Sequence, residues 1–237
     1  MIAGKRVALI VPTLNEANAI GAALRRAPRE IVDRLIVVDG GSRDETVRLA
    51  RESGAEVINV GRGYGRACWE GALLATKDCD IIAFMDGDGA DRVETIAALV
   101  GPIAQGAQDF VIASRTRGVC ERGAIGVHQI IAGRLVGWLL AVWTGVVYSD
   151  MSAFRAIGRA PLLSLGMREM TFGWNVEMQI RAALNGLRVL EIPVPYGVRL
   201  GGQSKVAGSL KGTLMATASI FATLARVLRE PRRSQPL

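Results

Sequence analysis

The first half of the chain alternates short, continuously apolar runs with segments of helical periodicity. Continuous apolar character bounded by polar residues is typical of strands whose sheet is covered on both faces. Repeated alternation of strand and helix indicates a parallel sheet in a three-layer α/β arrangement. The predicted strands are residues 6–12, 34–39, 56–60, 80–86, 109–114 and 188–195. The predicted helices between the first five strands are residues 17–26, 44–53, 65–75 and 92–105.

The pattern changes after Ser114. Residues 126–148 are apolar and interrupted by glycines, and residues 174–187 have the pattern of an amphipathic helix. Residues 209–233 combine apolar and small residues in a helical pattern that ends in several arginines. A chain of 237 residues suits one domain with at most a small appendage.

The charge balance indicates an anionic partner. The chain carries a formal net charge of +7, which favours nucleic acid, phosphorylated small molecules or a membrane surface. Aromatic residues make up only 5% of the chain, and no recognisable nucleic-acid-binding motif is present. The sequence therefore favours phosphorylated ligands or a membrane surface and predicts no nucleic-acid partner.

The cysteines and the apolar runs predict the compartment. Cys68, Cys79 and Cys120 are odd in number and scattered, which favours reduced thiols over a disulfide framework or a zinc site. The first apolar run is too short for a signal peptide, and no segment reaches the roughly 18 apolar residues of a spanning helix. We predict a cytoplasmic protein.

Polar residues gather where the predicted strands end. Asp39 ends the second strand and Gly61–Gly65 follows the third. Pro12, Asn15 and Glu16 follow the first strand, and Asp86 and Asp88 follow the fourth. Ligands of open parallel sheets bind outside the carboxyl ends of the strands, so this clustering predicts a ligand site. A structural role as turn residues and helix caps, with Ser42 or Asp44 capping the next helix, can coexist with binding. The glycine loop matches neither the dinucleotide-binding pattern nor a P-loop.

The stretch FMDGDGAD (84–91) places three carboxylates within six positions. Such charges resist burial unless a cation or hydrogen-bond donors compensate them. An EF-hand is excluded, because Asp91 stands where the loop requires glycine. The chain has one histidine and no cysteine cluster, so a bound ion would be oxygen-ligated Mg²⁺ or Mn²⁺. We predict that Asp86 and Asp88 bind such an ion together with a diphosphate. The alternative is a solvated turn.

Six motifs taken together resemble the family 2 glycosyltransferases of GT-A fold. The closest likeness is to polyprenyl-phosphate (dolichol-phosphate) mannose and glucose synthases. The motifs are VPTLNE, VVDGGSRDET, FMDGDGAD, VIASRTRG, SDMSAFRA and RLGGQSK. The resemblance implies a three-layer α/β/α sandwich with a mostly parallel sheet over residues 1–208. Residues 209–237 would then form an amphipathic helix and a basic tail.

The resemblance also implies roles on the donor side. The residues expected to bind the nucleotide sugar are Pro12, Asn15, Glu16, Asp39, Asp86, Arg199, Ser204 and Lys205. Pro12, Glu16 and Asp39 would hold the base and ribose. Asp86 and Asp88 match the family's D-x-D motif, so one or both would reach the metal ion. Arg199, Ser204 and Lys205 match a loop that closes over the donor diphosphate.

On the acceptor side, Arg115 matches an arginine that faces phosphate, and Asp150, Phe154 and Arg155 match an element beside the acceptor. The implied catalytic residues are Asp88, Arg115 and Asp150. A structural alternative for Arg155 is that it merely pairs with Asp150. If the acceptor is a hydroxyl instead of a phosphate, Asp150 is the candidate base.

The implied activity is an inverting, metal-dependent transfer of a hexose from a UDP- or GDP-sugar to a polyprenyl phosphate. The enzyme would work at the inner face of the membrane and contact anionic lipid through residues 126–148 and 209–229, the latter being the stronger candidate. The sequence departs from the branch between Gly126 and Arg134, where fewer basic residues stand, and this leaves the acceptor open. Another alternative is a non-catalytic nucleotide-sugar-binding protein or a scaffold for a membrane-protein partner. A sugar-phosphate nucleotidyltransferase is disfavoured, because PTLNE stands where those enzymes carry a glycine-rich basic loop.

Overall fold

The computed structural model describes residues 1–201, 219, 222–227 and 229–230. Within these residues the strands are β1 (Val7–Thr13), β2 (Arg34–Asp39), β3 (Glu56–Asn59), β4 (Ile81–Phe84), β5 (Phe110–Ser114), β6 (Arg155–Gly158) and β7 (Val189–Pro193). The α-helices are α1 (Ile20–Arg25), α2 (Thr46–Glu52), α3 (Tyr64–Ala75), α4 (Ile96–Ala104), α5 (Val127–Thr144), α6 (Arg159–Ser164) and α7 (Trp174–Leu184). One 3₁₀ turn, Val93–Thr95, precedes α4.

The seven strands form one sheet in the order β3-β2-β1-β4-β6-β5-β7. Six strands run in the same direction, and β6 lies antiparallel between β4 and β5. In the register, Arg155 at the amino end of β6 pairs with both Phe84 and Ile112. The start of β6 therefore lies at the same sheet edge as the carboxyl ends of its neighbours. The predicted mostly parallel α/β fold is confirmed.

Both faces of the sheet are buried, and β1 shows how this burial explains the apolar sequence of a strand. Ala8 and Ile10 pack into a cluster with side chains of α3, α5 and α7. Val7, Leu9 and Val11 pack into a second cluster with α1, α2 and α4. All seven residues of β1 are buried, so both alternating sets of side chains must be apolar or small. This is the three-layer arrangement predicted from the continuous apolar runs.

Two short elements were not predicted. Strand β6 has four residues and begins with a buried arginine, and α6 follows it directly. Such short elements carry little periodicity. The apolar segment predicted over 126–148 forms helix α5, which ends where Gly145 adopts φ 75° and donates its N–H to Ala141 O at 2.9 Å. The sequence analysis therefore missed β6 and α6.

The described C-terminal residues pack against α7. Residues 222–227 are helical, and Leu224 and Val227 are buried in the cluster that contains Trp174. Arg226 Nη2 lies 3.2 Å from Glu169 Oε2 and 3.4 Å from Glu177 Oε1. Contact of residues 209–229 with a membrane stays a prediction, because most of that segment lies outside the described residues. The predicted domain boundary after residue 208 lies outside the described residues. Among the residues described, no helix combines the length and the hydropathy needed to cross a membrane.

Candidate active site

A cavity of about 1000 Å³ opens at the edge formed by the carboxyl ends of the parallel strands. Six of the predicted site residues line it: Pro12, Glu16, Asp86, Asp88, Arg115 and Arg199. Asn15, Asp39 and Asp150 are not among the residues that line it. Ser204 and Lys205 lie outside the described residues. The volume is at the upper end of the range for small-molecule sites, as a nucleotide sugar requires.

The loops after β1 and β2 hold each other in place. Asn15 adopts φ 52°, donates its N–H to Ser42 Oγ at 2.8 Å and accepts the Arg43 N–H on Oδ1 at 2.8 Å. Glu16 donates its N–H to Thr46 Oγ1 at 2.8 Å, and its side chain lies at the cavity wall. Asn15 therefore shapes the loop that presents Pro12 and Glu16.

Asp39 is 1% exposed and organises the turn after β2. Its carboxylate accepts the N–H groups of Gly41 and Ser42 at 2.9 Å, Ser42 Oγ at 2.5 Å and Asn59 Nδ2 at 3.1 Å. The structural role predicted for this stretch is confirmed, and contact of Asp39 with the nucleotide stays a prediction. The N-cap position of α2 is Glu45 and has no side-chain cap hydrogen bond, whereas Asp44 Oδ1, one position earlier, accepts the Thr46 N–H at 3.1 Å.

Three carboxylates follow β4, and two of them, Asp86 and Asp88, line the cavity. Asp86 Oδ1 accepts the Tyr64 hydroxyl at 3.2 Å, and Asp91 Oδ2 accepts the Asp86 N–H at 3.1 Å. Burial and, secondly, the charge of Asp88 raise the pKa of Asp86 to about 6. Burial and the charges of Asp86 and Asp88 raise the pKa of Asp91 to about 8. Burial is the main cause of both raised pKa values, and repulsion between the carboxylates adds to it.

Arg199 supplies one positive charge to this cluster. Its Nη2 lies 3.0 Å from Asp88 Oδ2, and within the described part of the chain that buried oxygen accepts no hydrogen bond. The backbone holds the arginine there, because Leu200 donates its N–H to Asp88 O at 3.0 Å and Gly197 donates to Ala90 O at 3.0 Å. The residues described contain no group of three or more His, Cys, Asp or Glu side chains that could hold a metal. Mg²⁺ or Mn²⁺ fits the oxygen donors of Asp86 and Asp88, with its other ligands coming from diphosphate and water.

Arg115 and Asp150 form a bidentate pair beside this cluster. Arg115 donates from Nε and Nη2 to the two carboxylate oxygens of Asp150 at 2.8 and 2.7 Å, and its backbone N–H adds a contact of 2.9 Å. The guanidinium also lies 5.1 Å from the centre of the Tyr196 ring. Glu191 fixes the segment by accepting the N–H groups of Ser149 and Asp150 at 2.9 and 3.2 Å.

The environment of this pair favours its charged form. Burial alone would raise the pKa of Asp150, but hydrogen bonds and charge from Arg115 outweigh it and lower that pKa. For Arg115, burial opposes the charge and the Asp150 hydrogen bonds prevail, so its pKa is raised. Arg115 keeps 23% of its side chain exposed and lines the cavity, whereas Asp150 does not. The pair therefore presents a fixed guanidinium, not a carboxylate, to a ligand.

Arg155 is fully buried behind the cavity. It donates from Nε to Ser152 O at 2.9 Å and from Nη1 to Asn175 O at 3.0 Å, and its guanidinium lies 5.8 Å from the Phe110 ring centre. Burial lowers its pKa to about 10. The alternative in which Arg155 pairs with Asp150 is wrong, because Arg115 takes that carboxylate.

Several cavity residues were missed from the sequence. These are Arg62, Tyr64, Gln129, Asn175 and Tyr196. Arg62 and Tyr64 belong to the Gly61–Gly65 loop, whose composition was the only available signal. The loop packs closely against residues 169–170: a side chain at Gly65 would bring Cβ to 2.4 Å from Glu169 O, and Arg66 donates its N–H to Met170 O at 3.0 Å.

The family model "Glycosyl transferase family 2" matches residues 8–162, which include every strand end that forms the cavity except that of β7. The chain is a family 2 glycosyltransferase. This confirms the resemblance inferred from the six motifs.

This glycosyltransferase is similar to proteins of several organisms. An uncharacterised glycosyltransferase of Mycobacterium tuberculosis is 36% identical over 220 residues, 91% of this chain and 96% of that protein. A dolichyl-phosphate hexose transferase of Haloferax volcanii is 32% identical over 199 residues, 82% of this chain and 84% of that protein. The resemblance to lipid-phosphate hexose transferases therefore covers most of both chains.

A solved structure supports the GT-A fold. Glucosyl-3-phosphoglycerate synthase of Mycobacterium tuberculosis, crystallised with Mn²⁺, UDP-glucose and phosphoglyceric acid, is 25% identical and has a TM-score of 0.77 over 99% of this chain and 84% of that chain. The predicted three-layer GT-A fold is confirmed. The same enzyme also binds Mg²⁺ with UDP, in line with the predicted choice of metals.

Proposed function

We propose that this glycosyltransferase is metal-dependent and inverting, and that it transfers a hexose from a UDP- or GDP-sugar to a polyprenyl phosphate. The observation that carries the proposal is the Arg115–Asp150 pair, which holds a guanidinium at the cavity wall near Asp86 and Asp88. A fixed, planar guanidinium is suited to the oxygens of a phosphate. The related dolichyl-phosphate hexose transferase supports a lipid phosphate as acceptor.

On the donor side, Asp86 and Asp88 would hold the Mg²⁺ or Mn²⁺ that accompanies the diphosphate. When bound, the ion neutralises charge on the departing nucleoside diphosphate. Arg199 already lies at this point and Arg62 lines the same cavity, so both can bind diphosphate oxygens. Ser204 and Lys205 are proposed to add to this set. Pro12 and Glu16 line the same cavity and would hold the nucleoside end of the donor.

On the acceptor side, the chemistry needs positioning more than proton removal. A phosphate monoester has a second pKa of about 6 and is largely ionised near neutral pH. Arg115 would orient it for in-line attack on the anomeric carbon, and a single displacement inverts the configuration. Asp150 is poorly placed as a base for a hydroxyl acceptor, because both its oxygens bind Arg115 and its pKa is lowered.

A second candidate acceptor is a soluble phosphorylated acid. The relative solved with phosphoglyceric acid supports it, and Arg115 could bind the phosphate of either acceptor. A lipid acceptor would place the reaction at the inner face of the membrane, whereas a soluble one would not require a membrane. A nucleotide-sugar-binding protein without activity would give no product with either acceptor.

The decisive experiment supplies purified protein and Mn²⁺ with UDP- or GDP-hexoses, and with either polyprenyl phosphate in vesicles or 3-phosphoglycerate. We expect a glycosyl lipid phosphate whose anomeric configuration, measured by NMR, is opposite to that of the donor. Arg115→Lys keeps the charge but not the bidentate geometry and should raise the acceptor KM at least tenfold. Transfer to phosphoglycerate alone would overturn the lipid acceptor, and retained configuration would overturn single displacement.

A further inference from the structure

Helix α5 exposes an apolar stripe. Its members follow one another at spacings of four, four, three and four residues, so they share one face of the helix. Each is between 49% and 72% exposed. The stripe consists of Val127, Ile131, Leu135, Trp138 and Val142. By the helical rise it extends for roughly 23 Å. Solvated protein surfaces seldom leave so continuous a row of large apolar side chains uncovered.

The opposite face of α5 fixes the orientation of the helix. Val136 and Leu140 are buried in the core beneath it. Gly137 allows a close backbone approach, since a Cβ there would lie 2.0 Å from Tyr148 O. The helix therefore cannot rotate to bury its stripe without losing these contacts. The outward direction of the stripe is built into the fold.

The charge around the stripe indicates what covers it. Between residues 122 and 149 the sequence contains no aspartate or glutamate, while Arg122 and Arg134 are both exposed. Apolar side chains flanked by arginine and including tryptophan are typical of helices that lie in the interface of anionic bilayers. A second copy of the chain is a weaker occupant, because a twofold contact through the stripe would oppose the two arginines, and residues 122–149 supply no carboxylate to pair with them.

The stripe is continuous with the active site. Gly126 and Gln129, at the start of α5, line the cavity, and Val127 begins the stripe between them. We propose that α5 docks on an anionic phospholipid bilayer through this stripe, with the mouth of the cavity at the level of the lipid headgroups. The proposal rests on the proposed function in one respect: a membrane-borne phosphate acceptor explains why the cavity opens there. Arg115 would then meet that phosphate without extraction of the lipid.

Sedimentation with vesicles tests the docking. We expect the full chain to bind phosphatidylglycerol-containing vesicles without any polyprenyl phosphate, and to bind phosphatidylcholine vesicles less. Ile131→Asp should lower the partition coefficient about tenfold or more, because it places a charge where the bilayer would otherwise bury an apolar side chain. Leu163→Asp is the matched control: Leu163 is 48% exposed but lies on α6, and it should bind like the wild type. Circular dichroism must show that both variants melt like the wild type.

Trp138 and Trp143 provide a second measurement within the same helix. They are 62% and 55% exposed, but helical geometry places Trp143 about 140° away from Trp138. Brominated phospholipids should quench the emission of a Trp143→Phe protein, which retains Trp138, more than that of a Trp138→Phe protein. Equal quenching of both would overturn the proposed orientation.

The failures of docking and of function are distinguishable. Loss of transfer to polyprenyl phosphate with intact binding to acceptor-free vesicles would overturn the acceptor and leave the docking supported. Absence of binding to anionic vesicles would overturn the docking whatever the acceptor. A stable dimer in solution that Ile131→Asp dissociates, together with no vesicle binding, would assign the stripe to a second copy.

Discussion

Replacing Asp150 by asparagine separates a positioning role from a catalytic base. The substitution keeps the shape and one carbonyl oxygen but removes the charge that Arg115 faces. In the native protein the Asp150 carboxylate accepts Arg115 Nε, Nη2 and N–H, and also the Met151 N–H at 2.7 Å. The variant amide cannot accept from both Nε and Nη2 on separate oxygens. Arg115 then loses its fixed direction and becomes a partly buried, unpaired cation.

The free-energy cost of Asp150→Asn follows from how deeply the Arg115–Asp150 pair is buried. Removing one partner of a fully buried ion pair costs about 3–5 kcal/mol. Arg115 keeps 23% of its side chain exposed to the cavity, which allows some hydration and lowers our expectation to about 2–3 kcal/mol. For a chain of this size, each kcal/mol shifts the Tm by about 2–4 °C, so the Tm should fall by about 4–12 °C.

The effect should depend on pH with a definite sign. Folding lowers the pKa of Asp150, so the ionised carboxylate stabilises the native state above its unfolded value of about 3.9. This contribution is lost as the pH falls through the lower folded pKa. The difference in Tm between wild type and Asp150→Asn should therefore be full at pH 7 and close progressively below pH 4.

The protein contains a matched control in Asp109→Asn. Asp109 also forms a bidentate pair, with Arg188 Nε and Nη2 at 3.0 and 2.7 Å, but this arginine is 55% exposed. Loss of the Asp109–Arg188 pair should therefore change the Tm much less than loss of the Asp150–Arg115 pair. Differential scanning calorimetry of the three proteins from pH 7 to pH 3 decides the matter. Equal losses for the two variants, or no loss for Asp150→Asn at pH 7, would refute the argument from burial. A selective loss of kcat with unchanged Tm would instead favour Asp150 as a base.

Three further changes test other parts of the site. Asp88→Asn should reduce transfer at least a hundredfold and abolish metal-dependent donor binding in thermal-shift assays. The reason is that the buried Asp88 oxygen near Arg199 is the proposed metal ligand. Near-normal turnover with Mn²⁺ would exclude that role. Lys205→Ala, outside the described residues, should lower donor turnover more than stability, and a lowered Tm with wild-type kinetics would make the lysine structural. Gly65→Ala should lower the Tm by several degrees, because its Cβ would approach Glu169 O to 2.4 Å; an unchanged Tm would show that residues 169–170 can move away.

The sequence was sufficient for features that depend on local pattern and chain direction. The VALIVPT strand must be apolar on both faces, and this predicted helices on both sides of the sheet. Parallel strands bring their carboxyl ends to one edge, so Pro12, Glu16, Asp86 and Asp88 were expected together, and they line one cavity. The predicted turn role of Asp39 followed from the residue types alone.

The tertiary structure decided what depends on contacts between distant parts of the chain. The pairing of Arg115 with Asp150 spans 35 positions and exists because β6 runs antiparallel and starts at the site edge. No periodicity in four residues could predict that insertion. The sequence predicted residues 209–229 as a membrane contact, but it could not show that Leu224 and Val227 are buried or that Arg226 pairs with Glu169 and Glu177.

Helix α5 shows the physical reason most clearly. Its residues are apolar on nearly every side, so the sequence predicts a helix and cannot tell which side faces the core. The shape of the packed chain determines which face of α5 is buried. The Tyr148 backbone approaches closely at Gly137, and Val136 and Leu140 are buried on the same side. Trp138 and Ile131 are left outside because packing complementarity, which only the assembled chain defines, places the other side inward.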